Sequence, residues 1–500
     1  MKKTRSVRSA SISSDTSSDL KHSSSSTIIT IILLGIALRA TTSLYDFSGY
    51  KNPPMFGDYE AQRHWQEITI NTPIEEWYVN TTKNDLLYWG LDYPPLTAYH
   101  SYILGKVAQK FNPAYVELNE SRGFYSDEHK LFMRTSVLIT DLLIFFPAAV
   151  LLIKSFKESP KSDFLGLVSL LYYPGLLLID YGHFQYNNIS LGLAIAAIVS
   201  ILKDKDLLAS VLFCLALNYK QMELYHSLPF FYYLFRKCFA FQNSWIPFRF
   251  MYFIKLANSV ILTFALCWIP WLYSNDRLMS VLTRLFPFNR GIFEDKVSNF
   301  WCVLNIFVKV REMYNVEQNL YACLGATAIS ILPSMLTLFF YPSKQGFTYA
   351  VLNSSLGFFL FSYHVHEKSI LLAVIPAIIL INKEPQIVFW FLQTATFSMI
   401  PLIVKDNLLI AFLGLNILFE SLFRILNVDN NKRKSERILK NLRILSLLGC
   451  VTLTILHIFG PVPDKLPHLY ELLISSYCCV HFIFFLLYFT VKQFLIRNEN

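Results

Sequence analysis

Apolar residues in this chain fall in long blocks separated by short polar gaps. The first block runs from Thr27 to about Leu44. Others recur at about 131–153, 163–180, 188–202, 206–219, 222–235 and 252–272. A second series lies near 318–341, 345–361, 370–381, 387–403, 407–424, 442–459 and 469–491. A straight membrane crossing takes ~20 apolar residues, so the pattern predicts an all-α polytopic membrane protein with about 14 transmembrane helices, several of them short.

Two polar stretches break the series, at 45–130 and 273–317. The first is rich in Asp, Glu, Trp and Tyr and punctuated by Pro53, Pro54, Pro73, Pro94, Pro95 and Pro113. It is too long for a linker and too mixed for a span, and it predicts a structured loop with amphipathic helices lying at the membrane surface. Residues 1–26 are Ser-rich and basic and predict a disordered tail ahead of a membrane domain covering 27–500. A cleaved signal peptide would have a shorter basic start and a small-residue cleavage site, so a first transmembrane helix is the better reading.

Composition sharpens the class. Of 500 residues, 54% are apolar and only 16% charged, with mean hydropathy +0.39. Soluble domains carry roughly 25% charge. The balance excludes a disordered chain, a collagen-like fibre and a small disulfide scaffold. The net charge of +9 first suggests nucleic acid, but its distribution points elsewhere. Lys154, Lys157, Lys161, Lys203, Lys205, Arg236, Lys237, Arg249, Lys432, Arg433, Lys434, Arg437 and Lys440 occupy alternate gaps. The short gaps between them hold only Lys220, Lys368, Lys405 and Lys465. That asymmetry is the positive-inside pattern, and it predicts cytosolic termini with both long loops on the opposite, luminal side. No nucleic-acid partner is expected.

Asn80-Thr81-Thr82 and Asn119-Glu120-Ser121 are N-glycosylation acceptor patterns in the first long loop. The similar triplets at Asn188 and Asn353 sit at or in apolar spans and are expected to be unused. Eight cysteines show no CxxC pair and no zinc-type spacing, and Cys214, Cys267, Cys450 and Cys478 lie inside apolar runs as packing residues.

Several polar clusters could carry chemistry. Gly57-Asp58-Tyr59-Glu60-Ala61-Gln62-Arg63-His64-Trp65 follows the first helix, and its carboxylates suit either a reaction or the first turn of a helix. In Tyr88-Trp89-Gly90-Leu91-Asp92-Tyr93-Pro94-Pro95 the proline pair stiffens the chain around Asp92 and Tyr93, a plain turn being the other reading. Tyr363-His364-Val365-His366-Glu367-Lys368 places ionisable groups at the end of a span, where they are costly and often functional. An H-x-H with one Glu is a weak zinc signal, and phosphate contact or a snorkelling surface fits it equally. Arg284-Leu285-Phe286-Pro287-Phe288-Asn289-Arg290 mixes aromatic rings with cations, as a lipid-phosphate site would. Tyr181-Gly182-His183-Phe184-Gln185-Tyr186-Asn187-Asn188 ends a span in a polar aromatic turn. Walker, dinucleotide and nucleophile-elbow motifs are absent from the sequence.

Taken together, GDYEAQRHW, PIEEWY, YWGLDYPPLTAYH, SRGF, HKLFMR, DYGHFQYNN, RLFPFNRGIFEDKVSNFWC and HVHEKSIL resemble the dolichyl-phosphate-glucose-dependent α-1,3-glucosyltransferases of the endoplasmic reticulum. The resemblance runs from about Asp58 through Lys368. GLDYPPLTAYH favours the branch that adds the first glucose to the lipid-linked high-mannose oligosaccharide. The resemblance implies a GT-C membrane fold, an endoplasmic-reticulum location and an active site facing the lumen. It also implies inverting transfer from dolichyl phosphate glucose to the dolichyl-diphosphate-linked oligosaccharide, without a metal or other cofactor.

On the same resemblance Asp58 is the catalytic carboxylate. The candidate substrate-binding residues are Glu60, Arg63, Asp92, Tyr93, Arg290, His364, His366, Glu367 and Lys368. A sugar hydroxyl is a poor nucleophile at neutral pH, so a carboxylate that takes its proton during attack makes chemical sense. The leaving group is already a phosphate, and cations can stabilise its growing charge. A paralogue adding the second glucose or a mannose is the nearest alternative reading. A transporter for a lipid-linked sugar would need polar residues near mid-bilayer in several spans.

Overall fold

The computed structural model describes residues 7–156, 159–240, 247–287, 291–292, 296–427 and 434–496, with side chains from Ser25 onward except that of residue 311. The tail expected to be disordered, 1–26, therefore falls largely outside the described side chains. Its backbone from Val7 is drawn into the first helix, α1 (Val7–Thr42). Among the described residues the structure is helical throughout, with one isolated antiparallel bridge between Phe239 and Phe248.

Each apolar block of the sequence corresponds to one or two helices. Among the described residues, eight helical stretches are long and apolar enough to cross a membrane: Ser25–Thr42, Asp127–Ile153, Pro160–Phe184, Phe250–Trp271, Val316–Phe340, Leu409–Leu426, Lys434–Phe459 and Leu469–Ile496. Asn187–Leu202 and Asp206–Tyr219 are shorter and apolar. The outer helices leave large apolar side chains uncovered, among them Ile261, Leu266, Ile329, Ile410, Ile417, Leu448 and Leu487. Exposing such rows to water would cost ~25 cal/mol per Å², whereas a lipid surround removes the penalty. The inner helices Lys344–Phe361, Leu371–Ile379 and Pro385–Phe397 are instead almost wholly enclosed by protein.

Two spans are distorted where they carry an acid. The second reads α-helix, π-helical turn (Asp141–Phe145), α-helix. The third breaks at Tyr172–Tyr173, restarts at Pro174 and ends as a π-helical stretch, Leu177–Phe184, containing Asp180. A wider turn re-aims a side chain relative to the regular helix, and such turns concentrate at functional positions. Here they turn Asp141 and Asp180 into the protein. Arg39 of α1 donates to Asp141 at 2.8 Å, with both side chains buried.

The first polar stretch folds into α2 (Gly57–Asn71) and α3 (Pro95–Phe111), the latter started by Pro95 at its first position. One expectation fails here. Tyr59 through Thr69 of α2 are all buried, so it is an internal helix and no surface amphipath. It tolerates burial because its polar groups satisfy one another. Arg63 forms two bonds to Glu60, at 2.8 and 2.6 Å, and one to Glu67 at 2.7 Å, while His64 Nδ1 lies 3.1 Å from Glu67. The second polar stretch holds short helices at Asn275–Leu285, Phe300–Phe307 and Val310–Met313, the first two capped by the side chains of Ser274 and Asn299.

Candidate active site

The entry to α2 is set by two glycines facing each other. Gly49 and Gly57 both hold left-handed backbone, at φ +73° and +69°. A Cβ on Gly49 would sit 2.2 Å from the Phe56 carbonyl carbon, and one on Gly57 would sit 2.7 Å from that of Ser48. Only glycine permits this contact. It lets the Asp58 N–H donate to Ser48 Oγ at 3.2 Å and fixes the carboxylate at the start of the helix.

Three side chains from two distant segments then converge on one oxygen. Lys368 Nζ donates to Asp58 Oδ2 at 2.6 Å, Gln185 Nε2 donates to it at 2.5 Å, and His183 Nε2 lies 3.1 Å away. Lys368 Nζ is also 3.1 Å from His183 Nε2. On the far side of the imidazole, His183 Nδ1 is 2.5 Å from Asp406 Oδ2. With Nδ1–H donating to Asp406, a neutral His183 accepts from the Lys368 ammonium, and a protonated one donates to Asp58. His183 and Gln185 flank Phe184, whose φ of 87° turns both toward Asp58. Lys368 arrives on a short turn, Glu367–Ile370, anchored by the His364 N–H donating to Ile292 O at 2.7 Å.

Burial alone would raise the acidity constant of Asp58. The Lys368 charge, followed by His183, overrides that and holds the carboxyl well below the usual carboxylate range. Burial also opposes the charge on Lys368, and Asp58 outweighs it, so the ammonium is kept. All of these bonds fall on Oδ2, and among the described residues none is made to Oδ1. The Asp58 side chain is 24% exposed.

Asp58 lines a cavity of about 780 Å³, within the ~300–1,000 Å³ range of small-molecule sites. Its wall is polar or aromatic at Asp58, Trp89, Asp92, Tyr93, Arg284, His364, His366, Glu367 and Lys368, and apolar at Leu191, Leu224, Tyr225, Leu320, Phe358, Leu371, Leu372 and Leu402. The cavity thus offers both hydrogen-bonding groups and apolar surface.

Of the residues singled out in sequence, Asp58, Asp92, Tyr93, His364, His366, Glu367 and Lys368 line this cavity. Glu60 and Arg63 do not, which corrects their expected substrate contact. At about 100° per residue, Glu60 lies about 200° and Arg63 about 140° around α2 from Asp58, on the opposite face. Ala61, Gln62 and Trp65 come back to within about 60° of Asp58, and these three do line the cavity. Arg290 lies outside the described residues. Asn80 and Asn119 are exposed, while Asn188 and Asn353 are buried and hydrogen-bonded to Asp141 and Gln493.

The sequence reading passed over Asp406 entirely and read His183 and Gln185 as a turn. Their signal was present, as polar residues at the ends of apolar blocks. No residue count links positions 125 apart, as Asp58 and His183 are. Among the described residues no group of three or more His, Cys, Asp or Glu side chains is arranged to hold a metal ion. His364 and His366 meet edge to face, ring centroids 5.2 Å apart.

The sequence model of the ALG6, ALG8 glycosyltransferase family matches residues 26–489. The dolichyl pyrophosphate Man9GlcNAc2 alpha-1,3-glucosyltransferase of Rattus norvegicus is 46% identical over 484 residues, covering 92% of this chain and 95% of its own. The protein of the same name from Gallus gallus is 45% identical over 483 residues, covering 92% and 95%.

Proposed function

Because the chain belongs to the ALG6, ALG8 glycosyltransferase family, we propose that it transfers glucose to dolichyl-pyrophosphate-linked Man9GlcNAc2 in an α-1,3 linkage. The donor is dolichyl phosphate glucose, and the reaction takes place on the luminal side of the endoplasmic-reticulum membrane. The observation that carries this reading is the Asp58 carboxylate, whose Oδ2 takes Lys368 and Gln185 while the side chain stays partly exposed to a cavity lined by both polar and apolar residues.

Asp58 Oδ1 takes the proton from the acceptor mannose hydroxyl. The freed oxygen pair attacks the glucose anomeric carbon from the face opposite the phosphate. The bond from that carbon to the phosphate oxygen breaks, its electrons leave with dolichyl phosphate, and the configuration inverts. Cationic groups on the wall stabilise the phosphate charge as it grows. The apolar residues of the cavity support the dolichyl chain, whose burial contributes ~0.8 kcal/mol per CH₂.

Purified protein supplied with dolichyl phosphate glucose is expected to glucosylate the nine-mannose acceptor carrying no glucose. Turnover only on the monoglucosylated acceptor would transfer the assignment to the second-glucose activity. Chelation of divalent ions is expected to leave the rate unchanged, since the phosphate leaves among protein cations. A requirement for added metal would instead turn attention to His364, His366 and Glu367.

A further inference from the structure

Within the reading just given, we infer that Lys220 is the cation that receives the phosphate of the lipid-linked donor. Lys368, the more conspicuous lysine, is already committed, 2.6 Å from the Asp58 carboxylate. Lys220 is not. Among the described residues it forms no ion pair; its contacts are Asn187 Oδ1 at 2.5 Å and the Tyr93 ring at 5.1 Å. A half-buried ammonium whose nearby carboxylates, Asp180, Asp58 and Glu223, act on it only without direct contact is costly. An anion entering the cavity it lines would supply the missing partner.

The position suits a lipid phosphate. Lys220 directly follows the apolar helix Asp206–Tyr219 and lines the same cavity as Asp58 and the apolar residues Leu191, Leu224 and Tyr225. It is near enough to Asp58 and Lys368 to feel both charges, as a cation on the phosphate between a reacting sugar and a hydrocarbon chain must be.

The ammonium is also held in place. Asn187 Nδ2 donates to Asp180 at 2.6 Å, and the Asn188 N–H donates to the other Asp180 oxygen at 2.9 Å. Asn188 Nδ2 donates to Asp141, which in turn takes Arg39. On either side of Lys220, the Thr97 hydroxyl donates to Tyr219 O, and Gln221 Nε2 donates to Asp92 O at 3.0 Å. A buried polar chain that begins at Arg39 in the first span thus ends at a lysine in the cavity. Asp180 and Asn187 are positioning residues for it.

Lys220→Met is expected to raise the KM for dolichyl phosphate glucose by about 10- to 100-fold, the worth of one charge-assisted bond. The acceptor KM should stay within about 2-fold, which separates the donor phosphate from the acceptor diphosphate. Inhibition by dolichyl phosphate should weaken in parallel, while dolichol and inorganic phosphate alone inhibit poorly in both proteins. Burial, with Lys368 adding to it, pushes Lys220 down to about 8 against the opposing pull of Asp180, Asp58 and Glu223. Wild-type donor affinity is therefore expected to fall as pH rises past about 8, and Lys220→Arg, which keeps its charge, should hold affinity to higher pH.

Unchanged donor KM and dolichyl phosphate inhibition in Lys220→Met would overturn the inference, as would a matching rise in acceptor KM. If the Met variant does not fold, identical donor pH profiles for wild type and Lys220→Arg would overturn it alone. A wild-type protein that binds dolichyl phosphate but does not glucosylate the acceptor would count against the activity and leave the phosphate site standing.

Discussion

Asp58→Asn is expected to lower turnover by on the order of 10²- to 10⁴-fold, the range general-base catalysis supplies, with the protein still folded and in the membrane. Asn keeps the shape and one carbonyl oxygen to accept from Gln185 and Lys368 but cannot take a proton. The side chain is 24% exposed, so the loss of its charge is softened by water in the cavity and the fold should survive. Turnover under saturating donor and acceptor is the deciding measurement, with thermal unfolding of the same preparation as its control. A near-normal rate would remove Asp58 from the chemistry.

The pH profile makes the test sharper. Asp58 is held well below the ordinary carboxylate range despite its burial, chiefly by Lys368. It is ionised across the neutral range, so it contributes no loss of rate until the pH falls below the ordinary carboxylate range. A variant that removes the Lys368 charge should move that acid limb upward, because the ionised form loses its partner.

Arg63→Ala is expected to be the most damaging substitution to stability. Arg63 is fully buried and binds Glu60, Glu67 and Ser121 Oγ, the last at 2.6 Å. Its removal leaves two carboxylates buried on an internal helix, and breaking such a cluster costs ~3–5 kcal/mol. Glu67 shows what the cluster does. Burial would raise its carboxyl, yet the bond from His64 and the charge of Arg63 bring it down to about 2. A carboxyl depressed on folding adds stability that is present above its ordinary value near 4.5 and is lost as the pH falls toward 2. Thermal unfolding in detergent between pH 7 and pH 4 should therefore show a large loss for Arg63→Ala at neutral pH. Arg63→Lys should be intermediate, since it restores charge without the two-pronged geometry. A wild-type melting temperature for Arg63→Ala would refute the structural role given to the cluster.

Arg63 and Asp58 also show how far the sequence could be read. Both belong to one polar run, and their proximity in sequence suggested a shared contact with substrate. The helical period separates them: Ala61, Gln62 and Trp65 share the cavity face with Asp58, while Glu60 and Arg63 point into the protein. That division was present in the spacing, but it required knowing that both faces of α2 are buried. The two intramembrane acids are a similar case. Arg39 is a cation inside the first apolar block, while its partner Asp141 lies 102 residues away on a turn that no periodicity reveals.

The sequence by itself determined the apolar blocks, the two polar stretches and the family, and it singled out Asp58. Those are local properties: the free energy of placing a segment in lipid is a sum over its own residues, and a motif is read from neighbours in the chain. Tertiary structure alone decided what surrounds Asp58. Its partners come from positions 183, 185 and 368, with Asp406 behind the imidazole. It also decided that Lys368 is paired with Asp58 while Lys220 lines the cavity with no ion pair among the described residues. Electrostatic free energy depends on distance and burial in space, and for residues hundreds of positions apart only the packed helices set either one.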